Sequence, residues 1–384
     1  MPRISKIFYP YHSPFPGPRA HHVAIAKMID AFSDRLDITL LLRRYKRGFT
    51  DDVKNYFGLE RDLHVRQLPS LVFLPVTLDF VYGVSLGIEF ERIFKNFSYG
   101  EVAIYSRYSR RLSKFMAKQA HHYKIPFFIE IHKGIKSQRE VEYLKRMRGI
   151  VVISDKLRDH LLDLGFESKR ILLAPSGVDI RYYNRNSQSY KEQIKSNLSI
   201  QSSKNLVVYT GKPYKGRGAE TLVETAKFLD DSTQVLIVGA LPEDLRRINR
   251  MIEENNLQSK VSIEGHKPSC EIPLYQLAAD VLVMPYSSDW DLQMWASPIK
   301  MFEYMASGNP IVSTDFPNVR EVLNEENSVL VPPDDPQALA IGIRKCLQDK
   351  EFSRSIATRA RLQVSKYSWE NRTVKIIDFM NSLL

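Results

Sequence analysis

The sequence predicts an α/β protein made of two doubly wound domains, each a parallel sheet with helices on its faces. Three observations predict it. Short apolar, β-rich runs alternate with helical patterns along both halves of the chain. The 384 residues exceed the usual size of one domain. A stretch at 181–204, rich in Asn, Ser, Gln and Lys and short of apolar residues, separates the two series and reads as a linker or a polar surface helix.

In the first half the strands are expected at 6–10, 37–44, 63–68, 102–107, 126–132, 150–154 and 171–175. In the second they are expected at 206–211, 234–239, 261–265, 281–285, 311–314 and 329–332. Helical patterns fall between them at 22–32, 110–123, 221–228, 242–255 and 301–306. This alternation argues for two Rossmann-like domains facing one another across a cleft: 1–182, a linker at 183–204, and 205–366.

Composition narrows the class. Hydrophobic residues make up 43% and charged ones 26%, with 17 Gly and 20 Pro, which excludes disordered, collagen-like and coiled-coil chains. Two cysteines, Cys270 and Cys346, exclude a disulfide framework and a cysteine-rich zinc site, and point to a reduced, cytosolic compartment. The N-terminus has no signal-peptide core. The apolar stretch 71–88 is broken by Pro75, Asp79, Gly83 and Gly87, so no membrane span is expected.

The net charge of +11 is uneven. Residues 1–200 hold 34 Lys/Arg against 20 Asp/Glu, and residues 201–384 hold 21 against 24. The basic half suits an anionic partner, either a membrane surface, a phosphorylated acceptor or nucleic acid, unless it is a solvated surface. No aromatic-rich RNA-binding signature or zinc-finger spacing is present, so nucleic acid is not expected.

In open parallel sheets ligands bind beyond the carboxyl ends of the strands. Basic clusters stand there: Arg43, Arg44, Lys46 and Arg47 after the second strand, Arg107, Arg110 and Arg111 after the fourth, His132, Lys133 and Lys136 after the fifth. Either they form a positive rim suited to phosphate or anionic lipid, or some point outward. In the second half, Gly211-Lys212-Pro213-Tyr214-Lys215-Gly216-Arg217-Gly218 follows a strand and opens a helix, a loop suited to a pyrophosphate. Ser297-Pro298-Ile299 reads as a helix start, with serine as the cap and exposed amides for a second phosphate. Glu303 in the first turns either accepts from ribose hydroxyls or favours the helix dipole. Asp289-Trp290-Asp291 resembles a short acidic metal motif of other, single-domain glycosyltransferases; no metal is assigned to it.

Taken in order, Val208-Tyr209-Thr210-Gly211, Ile263-Glu264-Gly265-His266, 277–285, 297–312 and Val319-Arg320-Glu321-Val322 resemble the retaining glycosyltransferases of family 4, with the GT-B fold. Pro14-Phe15-Pro16-Gly17, Glu130-Ile131-His132, Val152-Ile153-Ser154 and 175–179 match more loosely. The resemblance implies that 367–384 is a terminal helix crossing back to the N-terminal domain. It also implies transfer of a hexose from a UDP- or GDP-sugar to a glycan or lipid-linked hydroxyl, without cofactor or metal.

By the same resemblance, Lys212 and Arg217 are the basic pair at the diphosphate, with lysine and arginine exchanged relative to the commoner order. Glu303 matches the glutamate at the ribose, and Gly265 with His266 the turn whose backbone meets the base. The helix start Ser297, Pro298 and Ile299 turns its free amides to the donor, Gly17 approaches the donor phosphates or acceptor, and His132 lies near the anomeric centre unless it is a core histidine. Trp295 stands where the family has its first glutamate, a departure. A non-transferring, epimerase-like relative and a basic anion-binding protein are the competing readings. The expected location is cytoplasmic, peripheral at the inner face of a membrane.

Overall fold

The computed structural model describes residues 3–44, 53–70, 78–98, 100–123, 125–184, 187–200, 204–290 and 294–384. The chain divides into two compact units: Met1–Ser176 with Trp369–Leu384, and Gly177–Ser368.

In the first unit the strands are β1 (Lys6–Tyr11), β2 (Asp37–Arg43), β3 (Val65–Leu68), β4 (Val102–Arg107), β5 (Phe127–Ile131), β6 (Gly149–Val152) and β7 (Ile171–Leu173). They pair in parallel in the order β3-β2-β1-β4-β5-β6-β7. Helices cover both faces, so the central strands are buried throughout and read as continuous apolar runs. The order turns back between β1 and β4, and the carboxyl ends of those two strands frame the crevice of this unit. The last helix, Trp369–Ser382, belongs here: it packs on the helix Ala20–Phe32, burying Ile376, Ile377 and Met380.

The second unit holds β8 (Asn205–Thr210), β9 (Thr233–Ala240), β10 (Val261–Gly265), β11 (Val281–Met284), β12 (Ile311–Thr314) and β13 (Val329–Val331). Their parallel order is β10-β9-β8-β11-β12-β13, with the reversal between β8 and β11.

Two stretches singled out in the sequence take definite places. The stretch read as a linker or a polar surface helix holds a helix of this second unit: Ser187 caps Gln188–Asn197 by accepting from the Tyr190 amide at 3.2 Å, and Ile194 is buried in the core. Lys191 and Lys195, one turn apart, each lie 2.8 Å from the Asp280 carboxylate. That polar composition serves an ion-pair clamp. In the apolar stretch 71–88, residues 71–77 lie outside the described ones. The remainder opens a helix, Leu78–Asn96, whose Tyr82, Leu86, Phe90 and Ile93 are buried at helical spacing. Among the described residues no helix is long and apolar enough to cross a membrane.

Candidate functional site

At the β8–β11 reversal of the second unit, three cations gather. The loop after β8 holds Gly211 in the left-handed region (φ 110°) and Gly218 at φ 76°. A Cβ at Gly218 would sit 1.4 Å from the Pro285 carbonyl, so only glycine lets this loop close on β11. The Arg217 guanidinium then lies over aromatic rings, 4.7 Å from the centroid of Tyr214 and 5.2 Å from that of Trp290, and donates to the Tyr214 hydroxyl. Tyr286 and Trp290 stack beneath it at 4.0 Å.

Lys300, on the helix Ile299–Ser307, places its Nζ 3.7 Å from the Tyr209 ring centroid. That ammonium is shut off from solvent and has no hydrogen-bond partner among the described residues. Burial holds its pKa well below the usual lysine range; Arg217 adds to the effect and Glu303 opposes it. Lys212 is half-buried in the same loop. It bears on His266, whose pKa is lowered first by desolvation and then by Lys212.

Glu303 is held by a chain of hydrogen bonds. The Gln276 side-chain amide donates to Glu303 Oε2 at 2.9 Å and to Thr210 Oγ1 at 3.0 Å, and its oxygen accepts from the Tyr183 hydroxyl at 2.5 Å. The carboxylate is thus oriented beside the end of β8 by groups that are themselves buried.

The helix bearing Lys300 and Glu303 begins one residue later than expected. Pro298, extended at ψ 124°, occupies the cap position where Ser297 was expected, and its own side chain makes no capping bond. Gly265 ends β10 and His266 follows it exposed. In the acidic motif, Asp289 is exposed beside Lys215 at 3.7 Å and Asp291 lies outside the described residues; Trp290 between them is core.

The first unit carries a different constellation. Glu130 of β5 is buried and takes three partners: Arg372 Nη2 of the terminal helix donates to it at 2.8 Å, His132 Nε2 stands 2.6 Å from its other oxygen, and the Tyr105 hydroxyl donates as well. Arg372 is locked further by donating to the Pro175 carbonyl at 2.8 Å. A small cleft over this group is lined by Tyr9, Met28, Arg107, Glu130, His132 and Arg372. Burial pushes the His132 pKa down to about 4; Arg107 acts in the same direction, while Glu130 opposes. His21, at the start of the helix Ala20–Phe32, is likewise pushed down to about 3, by burial first, then by His22 and Arg107. Gly17 lies against this group: a Cβ there would stand 2.8 Å from His22 Nδ1.

The basic clusters separate. Arg107 faces His132 in the cleft. Arg110 pairs at 3.3 Å with Glu140, which also accepts from Tyr108. Arg43, expected in a positive rim at the strand ends, is the last residue of β2 and is 8% exposed. Arg44 is exposed, and Lys46 and Arg47 lie outside the described residues.

Sequence reasoning passed over Lys300, Glu130, Arg372 and His21 as site residues. Lys300 stood inside the Ser-Pro-Ile-Lys motif, and Glu130 stood two residues from His132, on the same face of a strand. Arg372 carried no local signal.

Residues 190–363 match the family model described as Glycosyl transferases group 1. The D-inositol 3-phosphate glycosyltransferase of Corynebacterium urealyticum is 25% identical over 231 residues, 57% of this chain and 53% of that protein. The chain spans about half the length of the curated relatives it matches. Among solved structures, Anabaena HepE in complex with UDP and glucose has a TM-score of 0.76 at 15% identity, covering 98% of this chain and 99% of that one. WaaG, a glycosyltransferase involved in lipopolysaccharide biosynthesis, has a TM-score of 0.64 at 14% identity, covering 98% and 99%. At such identity the likeness shows the fold, which is GT-B: two Rossmann-like parallel-sheet domains.

Proposed function

We propose that this protein is a retaining glycosyltransferase of family 4, moving a hexose from a UDP- or GDP-sugar to a hydroxyl of a glycan or lipid-linked acceptor in polysaccharide or glycolipid synthesis. The observation that carries the reading is the gathering of Lys212, Arg217 and the N-terminal amides of the helix Ile299–Ser307 at one strand-order reversal, with an oriented Glu303 beside them. Cations and helix amides stabilise charge developing on a leaving diphosphate. A carboxylate fixed by Gln276 suits a ribose diol. The match of residues 190–363 supports the donor side of this reading.

In this reading His132 meets a hydroxyl of the transferring sugar as a neutral imidazole. Departure of the diphosphate relies on protein cations and not on a metal ion. The proposed location is cytoplasmic, peripheral on the inner face of a membrane through the basic side of the first unit.

The test is incubation with a panel of UDP- and GDP-sugars, in EDTA and in Mn²⁺, with release of free nucleotide as the readout. Slow release from one donor, undiminished by EDTA, is expected. Binding of no nucleoside diphosphate would remove the reading, and activity rescued only by Mn²⁺ would remove its metal-free form.

A further inference from the structure

We propose that Lys300 is a third cation of the donor site, contacting the diphosphate beneath Gly211 alongside Arg217. The inference deepens the donor-site reading and rests on it.

Lys300 is the second residue of its helix, so its side chain leans back over the helix start towards the loop after β8. A Cβ built on Gly211 would lie 3.2 Å from Lys300 Nζ, so with glycine at 211 no side chain stands between the buried ammonium and the loop backbone. Among the described residues, four charged or titratable groups face it. Tyr209 and Tyr286 offer ring faces at 3.7 and 5.6 Å, Arg217 repels, and Glu303 attracts without reaching hydrogen-bond distance. An ammonium has three donors, and here none meets an acceptor among the described residues.

A purely structural lysine would be expected to pair with a carboxylate or to keep its head in water. An anion between Lys300 and Arg217 satisfies both cations at once. It also raises the affinity of Lys300 for its proton, because an opposite charge favours the charged form. Binding of a diphosphate is therefore coupled to proton uptake, and by linkage the affinity falls as pH rises.

Calorimetric titration with UDP, GDP and uridine at pH 8.5, in two buffers of different ionisation enthalpy, tests this. At that pH histidines and the diphosphate itself are already deprotonated. Wild-type protein is expected to take up part of a proton on binding UDP or GDP. Lys300→Met is expected to bind the same diphosphate about tenfold or more weakly, without proton uptake. Uridine affinity should be the same in both proteins. Lys300→Gln, checked for an unchanged melting temperature, serves as the second variant. Undiminished affinity in the variants overturns the role of Lys300 alone, and wild-type binding without proton uptake overturns its coupling to protonation. Failure of wild-type protein to bind UDP or GDP overturns the donor-site reading and this inference with it.

Discussion

Arg372 donates to Glu130 at 2.8 Å, although 242 positions separate the two residues in the sequence. Both are buried, at 4% and 6% exposure. Burial alone would raise the Glu130 pKa, but Arg372, His132 and Tyr105 more than reverse this and hold the carboxyl well below the usual range. Arg372→Met leaves that carboxylate without its counter-charge and should cost roughly 3–5 kcal/mol. Adding Glu130→Gln to the variant should recover part of the loss, since a neutral amide needs no counter-charge.

Urea denaturation across pH gives a second check. The folded pKa lies below the unfolded one. The pair's contribution is therefore complete above the unfolded value of ~4.3 and is lost as pH falls through the folded value. Arg372→Met should flatten that acid limb. An Arg372→Met protein as stable as wild type would show that the terminal helix is held by its apolar face alone.

His132 should act without titrating near neutrality. Its Nε2 faces a carboxylate that can only accept, so Nε2 carries the proton and Nδ1 is the acceptor left for a ligand. With its pKa near 4, protonation comes only in acid. The kcat profile should therefore lack a His132 inflection between about pH 5.5 and 8. His132→Gln should lower kcat about tenfold or more, with a smaller change in donor KM. An inflection near neutrality that disappears in His132→Gln would overturn the neutral imidazole.

Glu303→Ala should weaken donor binding while sparing the fold. A charge-assisted hydrogen bond contributes about 1.5–3 kcal/mol, or roughly 10- to 100-fold in affinity. Glu303→Gln, which keeps a partner for Gln276 but no charge, should fall between wild type and alanine. Equal donor affinity in all three proteins would separate Glu303 from the ribose.

The strands were legible in the sequence because both faces of a parallel sheet are covered. Leu206-Val207-Val208-Tyr209 and Val281-Leu282-Val283-Met284 have no polar side and read as continuous runs. The glycine loop at 211–218 was legible for a similar reason, since close approach to Pro285 leaves no room for a side chain at Gly218. What escaped depends on long-range contact. Nothing near Arg372 announces Glu130, and no spacing says which cation of Lys212, Arg217 and Lys300 lies beneath the loop. A run of basic residues looks like surface, yet Arg43, which opens this one at the end of β2, is only 8% exposed.

Arg43 therefore drops out of the membrane-docking proposal, which now rests on Arg44, Lys46 and Arg47. Each cation near an anionic surface contributes about 1 kcal/mol, so replacing the three by Gln should weaken binding to anionic vesicles by roughly 100-fold. The attraction decays within a Debye length of about 8 Å at physiological salt and about 3 Å at 1 M, so sedimentation with vesicles should fall steeply as salt is added. Neutral vesicles should sediment little of either protein. Donor hydrolysis should survive the triple change, because Lys212, Arg217 and Glu303 belong to the other unit. Binding to neutral and anionic vesicles alike, or indifferent to salt, would defeat the electrostatic account. Loss of hydrolysis in a variant with an unchanged melting temperature would instead move these three cations from docking to the reaction.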